Sequence, residues 1–239
     1  MPVIVFASSK GGAGKTTACR LLTGEFARQG KEKNIQITLI DADPNQHAAK
    51  WALMDGCPTN IKLIQNSNEE RILDDIDEAQ KHSAFVLVDL EGTASMTVAH
   101  AISRADLVVL MTQPSEDDED ELIKTVKLVR RQERALQRAI PHAVMITRAN
   151  AAFLTKLHKA ILGDMEANDV NVFKVSWIER AAFKAIRTYG GIVHDLDPKE
   201  TAGVEKAARN VEEFAEEVKH MLKANLIKQK QGAENNVTA

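Results

Sequence analysis

The chain alternates between short, unbroken apolar runs and longer segments in which apolar residues recur every three or four positions. The runs are "PVIVFAS" (2–8), "QITLIDAD" (36–43), "NIKLIQ" (60–65), "AFVLVDL" (84–90), "ADLVVLMTQ" (105–113), "HAVMITR" (142–148) and "VNVFKVSW" (170–177). Rich in β-branched residues and lacking polar alternation, they predict strands covered on both faces. Each intervening stretch is long enough for a crossover helix. The order strand, helix, strand predicts an α/β fold: a mostly parallel β-sheet flanked by helices on both faces.

Two of the helical segments carry extra information. "SEDDEDELIKTVKLVRRQERALQRA" (115–139) opens on Ser115 and six acids, which predicts a capped start whose carboxylates favour the positive end of the helix dipole. The last, roughly 199–229, places Val204, Ala208, Val211, Ala215, Val218, Leu222 and Leu226 at three- and four-residue steps, so it packs on the body. Residues 230–239 are polar and predict a frayed tail. With no repeat and no linker-like stretch, residues 1–229 read as one domain.

Composition narrows the class. Two cysteines, Cys19 and Cys57, lie far apart without a CxxC, which excludes a disulfide scaffold and a cysteine metal site. No apolar run reaches the length of about 18 residues that a membrane helix needs, and "MPVIVFAS" has no charged n-region. These features predict a cytoplasmic protein. The net charge of −3 confines any nucleic-acid contact to a local patch. Residues 148–190 hold seven Lys/Arg against four Asp/Glu, whereas residues 1–147 hold 17 against 21. Within "ERAAFKAIR", Arg180, Lys184 and Arg187 share one helical face. A second basic stripe runs through Lys124, Lys127, Arg131, Arg134 and Arg138. Either could meet phosphates without reading sequence.

The chemistry concentrates after the first run. "GAGKTT" follows a strand and opens the helix "KTTACRLLTGEFARQ", an arrangement that binds phosphates. Gly11, Gly12, Ala13 and Gly14 let backbone N–H groups turn inward, and the helix start adds its dipole. Lys15 reaches the β- and γ-phosphates, the Thr16 hydroxyl binds Mg²⁺ and Thr17 bonds the α-phosphate. The strict pattern GxxxxGK[ST] fails at its first position, where Ser9 stands. Lys10 is a second lysine at the start of the loop, and it predicts a side chain projecting from the mouth. "AFVLVDLEG" (84–92) has the form of a Walker B strand, whose Asp89 holds Mg²⁺ through water.

"KGGAGKTT" resembles the deviant Walker A box of the ParA/MinD family, in which Lys10 is the signature lysine. The resemblance implies a homodimer that sandwiches two ATP molecules, with Lys10 crossing to the partner's nucleotide. Lys10, Lys15 and Asp43 are then the catalytic set. "LIDADPNQ" (39–46) resembles the family's DxDPQ box, which implies that Asp43 orients the attacking water and approaches the Mg²⁺ shell while Asp41 supports the site. Family members often carry a proline soon after the Walker B acid; here the sequence is "DLEGTAS", with Gly92 as a hinge and Glu91 as a loop carboxylate. Where related ATPases read adenine with an Asn-Arg pair, this chain has Thr147-Arg148, which assigns Arg148 to the nucleotide.

The remaining sequence selects within the family. The box begins at residue 10, leaving no room for a helix-turn-helix domain before it. "DLEGTASMTVAHAIS" lacks the cysteines of the iron-protein relatives, and the chain end lacks the apolar face of a membrane-targeting helix. Dethiobiotin-synthetase-like enzymes lack the signature lysine. "VSWIERAAFKAIRTYGG" resembles small ParA proteins and VirC-type ATPases. The resemblance implies a weak Mg²⁺-dependent ATPase that dimerises on ATP, binds DNA non-specifically and drives plasmid or chromosome partition. It works with a centromere-binding or cargo-adaptor protein and associates with the nucleoid when ATP-bound. Two alternatives stay open: a VirC-like recruiting ATPase for a relaxosome or secretion machine, and a positioning ATPase for protein cargo.

Overall fold

The computed structural model describes residues 1–237 apart from 93–94, 114, 148–162, 164, 166–169 and 176. For residues 116–117, 229–230 and 232–237 it describes the backbone alone. Seven strands are present: β1 (Val3–Ala7), β2 (Ile37–Ala42), β3 (Ile61–Ile64), β4 (Phe85–Leu90), β5 (Leu107–Thr112), β6 (His142–Ile146) and β7 (Asn171–Val172). They form one sheet in the order β3-β2-β4-β1-β5-β6-β7, and each neighbouring pair is parallel.

The apolar runs become strands because both faces of the sheet are covered. Every residue of β1, β2 and β5 is buried. Side-chain alternation divides them between two cores. Ile4, Phe6, Leu39 and Leu87 meet helices α1 (Lys15–Gly30) and α2 (His47–Ala52), together with α6 (Ala181–Tyr189) and α7 (Val204–Val237). Val3, Val5, Ile40 and Val88 meet α3 (Ile72–His82), α4 (Met96–Arg104) and α5 (Glu116–Leu136).

Three boundaries differ from the sequence pattern, each for a physical reason. The seventh run pairs over only two residues, joined by an isolated Thr147–Trp177 bridge. Beyond Val172 the N–H groups of Lys174 and Val175 donate instead to the Glu217 carboxylate on α7, at 2.8 and 3.2 Å. Helix α7 starts at Val204, not near 199, because Asp197 takes the backbone N–H groups of Lys199, Glu200 and Thr201 in a turn that ends at Gly203. Its backbone stays helical to Val237, inside the segment expected to fray. Periodicity reports a helix that packs, whereas an established helix can propagate into polar residues at little cost. Among the described residues, no helix is long and apolar enough to cross a membrane.

Strand β1 lies centrally, with β4 and β5 on either side. Its carboxyl end is where the connections diverge, the place at which open parallel sheets bind ligands. The loops after β1, β2 and β4 therefore meet at one edge.

Candidate nucleotide site

The phosphate loop runs from Ser8 to Gly14, and Gly14 caps α1 with a φ of +96°, a backbone angle that L side chains avoid. The first-turn N–H groups of α1 have no partners within the helix and face the loop, as an anion requires. Lys15 is 5% exposed, and its Nζ donates to the Lys10 carbonyl at 3.2 Å. Burial pulls its pKa down, opposed by Asp89, Asp43 and Glu91.

Ser9 explains why the strict pattern fails. Its hydroxyl donates to the Glu121 carbonyl at 2.6 Å and its N–H donates to Thr125 Oγ1 at 3.2 Å. A glycine there would lose the first of these bonds. The loop is fastened to α5 by this residue. Lys10 reaches the same helix: its Nζ lies 3.3 Å from Asp118 Oδ1, with the lysine side chain 40% exposed and the acid 6%. Asp118 also takes the Ser115 hydroxyl and thereby closes the helix cap. The acidic block was expected to serve the helix dipole; one member is in fact the partner of Lys10. No local signal marks Asp118 for that role, because only the fold brings the two segments together.

Asp41 and Asp89 are register partners on β2 and β4, and both are fully buried. Asp41 accepts the N–H groups of Asp43 at 3.0 Å and Ala49 at 2.7 Å, so it ties α2 and the Asp43 turn to the sheet edge. Asp43 Oδ1 accepts from the Asn45 backbone and side chain at 2.8 and 2.9 Å, and Asp43 borders the cavity above the loop. Neither oxygen of Asp89 makes a hydrogen bond of good geometry, although the Thr16 hydroxyl lies beside it. Burial, then the neighbouring Asp41, pushes its pKa up to about 7, against the pull of the Thr16 hydroxyl and Lys15. An orphaned carboxylate beside a hydroxyl suits a hard, oxygen-seeking cation. Among the described residues no group of three or more His, Cys, Asp or Glu forms a ready-made metal site. Mg²⁺ would thus rest on Asp89 and Thr16 and complete its shell from phosphate and water.

This orphaned acid makes a stability prediction. Below its ordinary pKa of 3.8, Asp89 is neutral both folded and unfolded. Between there and about 7 the unfolded chain releases the proton first, so the contribution of Asp89 to stability falls as pH rises through that window. Asp89→Asn stays neutral throughout. By thermal unfolding without nucleotide, the variant is expected to match wild type only below pH 3.8, and its Tm should exceed wild type by a margin that grows up to about pH 7. Each kcal/mol is worth about 2–4 °C in a chain of this size.

The Walker B loop touches the phosphate loop at Gly92. A Cβ there would stand 2.8 Å from the Gly11 nitrogen and 2.9 Å from the Lys10 carbonyl carbon, both backbone atoms. Gly92 is therefore a close-packing point between the two loops, a different duty from the hinge expected of it. Gly92→Ala is expected to cost roughly 1–3 kcal/mol of overpacking strain in the loaded loop, or about tenfold to a hundredfold in MgATP affinity by titration calorimetry.

Above the loops lies a cavity of about 680 Å³. Thr147 borders it, and its hydroxyl, 3.0 Å from both the Ala13 and the Thr112 carbonyl oxygens, braces the phosphate loop. Arg148 lies outside the described residues. Arg180, Lys184 and Arg187, expected to face DNA, border this same cavity together with Gly11–Thr17. Lys184 pairs with Glu179 at 2.7 Å. Among the bordering residues that escaped sequence reasoning are Arg20, Trp177 and Phe183. Arg20 is buried, donates to the His47 carbonyl and leaves its Nε without a partner, as Trp177 leaves Nε1. Their apolar or helical spacing reads as ordinary core, which concealed them.

A parallel sheet with this strand order, a glycine loop feeding α1 and a buried Walker B acid define a P-loop NTPase of the MinD/ParA fold. Comparison with known proteins gives the narrower class. The VirC1 protein family matches residues 1–229, and the chain belongs to that family. It is 35% identical to Protein ParA of Rhizobium radiobacter over 215 residues, covering 90% of this chain and 95% of the relative. It is 30% identical to Protein virC1 of Rhizobium rhizogenes over 195 residues, covering 80% and 82%. An ATP complex of Cyanothece McdA superimposes with a TM-score of 0.70 at 17% identity, covering 91% of this chain and 96% of that one.

Proposed function

We propose that this protein is a Mg²⁺-dependent ATPase that dimerises on ATP, binds DNA without sequence preference and partitions a plasmid or chromosomal locus. One observation carries the reading: a single loop holds two lysines with opposite environments. Lys15 is buried inside the loop, while Lys10 stands at its rim, two-fifths exposed and paired with Asp118. A rim cation adds little to its own loop and is placed to meet a phosphate facing it from a second copy.

Phosphoryl transfer needs positioning and charge neutralisation more than covalent chemistry. Lys15 supplies the cation within the loop and Asp43 orients the attacking water. Thr16 and Asp89 hold the metal, which neutralises phosphate charge when bound. Thr17 takes the α-phosphate, and the cation-rich wall of Arg180 and Arg187 keeps the nucleotide in the cavity. A DNA-bound complex or cargo adaptor completes the cycle. Similarity to ParA over nine-tenths of the chain supports the partition reading.

The VirC1 family match over residues 1–229 favours a second reading, a recruiting ATPase that brings a relaxase–DNA complex to a secretion machine. Both readings expect the gel-filtration mass to double with MgATP and DNA retention to appear only then. Undiminished DNA affinity without nucleotide would refute the switch. Co-purification of a centromere-binding protein selects partition, and co-purification of a relaxase selects recruitment.

A further inference from the structure

Helix α5 is fastened to the phosphate loop by side-chain bonds. Its first turns hold Ser9 through the Glu121 carbonyl and Thr125 Oγ1, and Lys10 through Asp118. Thr112, at the end of β5, adds a bond from its hydroxyl to the Asp118 carbonyl at 3.3 Å. Leu122, Thr125 and Val129 bury the inner face of the helix. A change in the position of the loop or of the Lys10 ammonium is thus passed to α5 through three contacts.

The outer face of α5 is basic. Lys124, Lys127, Arg131 and Arg134 are exposed and fall at steps of three, four and three residues, which keeps them on one side of the helix. Ten residues at 1.5 Å each spread them over about 15 Å. Lys124 pairs with Glu121 at 2.7 Å. Lys127, Arg131 and Arg134 make no ion pair among the described residues. Arg138, which the sequence places on the same stripe, does not join it: its guanidinium donates to the Ser103 and Ala105 carbonyls, the nearest at 2.6 Å. The competing basic cluster, Arg180, Lys184 and Arg187 at α6, borders the nucleotide cavity, and its Lys184 is already paired with Glu179.

We infer that the outer face of α5, through Lys127, Arg131 and Arg134, is the surface that binds the DNA backbone, and that its attachment to the phosphate loop makes this binding nucleotide-dependent. The inference rests on the DNA-binding reading above and adds which surface serves it. Unpaired cations spaced along a rigid rod match the evenly spaced phosphates of a duplex and carry no base information. An acidic protein partner would need pockets or apolar anchors among the cations, and between Lys127 and Arg134 the exposed positions of the helix are basic.

The test is the full-length Lys127→Gln/Arg131→Gln/Arg134→Gln variant, titrated with a random-sequence duplex at several salt concentrations, with and without a non-hydrolysable ATP analogue. Losing three phosphate contacts should flatten the slope of log K against log salt by about 2.7. Analogue affinity and analogue-induced dimer mass should equal wild type. Arg187→Gln is the contrast: it should weaken analogue binding and leave the salt slope unchanged once saturated. An unchanged slope in the triple variant, or a flattened one in Arg187→Gln with analogue affinity intact, overturns the assignment. Loss of an acidic protein partner with DNA affinity intact also overturns it. If the wild-type protein binds no DNA in either nucleotide state, the DNA reading itself falls, and that result is separable because analogue binding and dimerisation persist.

Discussion

Titration of the Lys15→Ala variant with MgATP is expected to show no binding at concentrations that saturate the wild-type protein. Lys15 is the cation inside the phosphate loop, and three carboxylates, Asp89, Asp43 and Glu91, act on it. A triphosphate entering without Lys15 would meet those carboxylates while losing its charge-assisted bond. Such a bond to a charged group is worth about 1.5–3 kcal/mol, and the added repulsion enlarges the loss. The folded state is expected to tolerate the change, because desolvation already penalises the buried ammonium and, among the described residues, its hydrogen bond is to the Lys10 carbonyl. A circular-dichroism melt close to wild type, beside absent binding, is the expected pair of results. Wild-type affinity in this variant would remove the phosphate-loop assignment.

The second large effect belongs to Lys10→Ala, for which nucleotide binding should survive and dimer formation should not. The backbone of Lys10 does the local work: its N–H donates to Ser8 Oγ at 3.2 Å and its carbonyl accepts from Lys15. Neither bond needs the side chain. The ammonium itself is paired at the rim with the buried Asp118, which also holds the Ser115 hydroxyl, so the acid keeps a partner when the ammonium turns to a facing phosphate. Light scattering with a non-hydrolysable analogue should give monomer mass for Lys10→Ala and dimer mass for wild type. The affinity for analogue, measured below the dimerisation range, should change by no more than about threefold, under 1 kcal/mol. Equal dimerisation by the variant would leave the rim lysine without a purpose.

Much of this protein was legible in its residue order. Apolar runs predicted all seven strands seen among the described residues, most directly β1, β2 and β5, because a strand buried on both faces leaves no room for polar alternation. The last run was overestimated: its outer residues look strand-like, but Glu217 on α7 takes the N–H groups that a further strand pair would use. The nucleotide boxes were also legible, since a glycine turn between strand and helix has few other uses. Ser9 looked like a defect in the pattern and is instead a fastening. Asp118 looked like one carboxylate among six and is the partner of Lys10. Lys184 and Arg187 lie on α6 with Arg180 at its extended N-cap, yet the cavity that all three border was invisible until α6 was packed.

By itself, then, the order of residues determined the class of fold, the strand count and the identity of the phosphate loop, because these depend on local periodicity and on backbone freedom at glycines. Tertiary structure alone decided which cations face the cavity and which face solvent, what holds Lys10, and where Gly92 touches the loop. Those are relations between segments distant in the chain, and they exist only once the sheet has set β1, β2, β4 and β5 side by side and the helices have been laid across it.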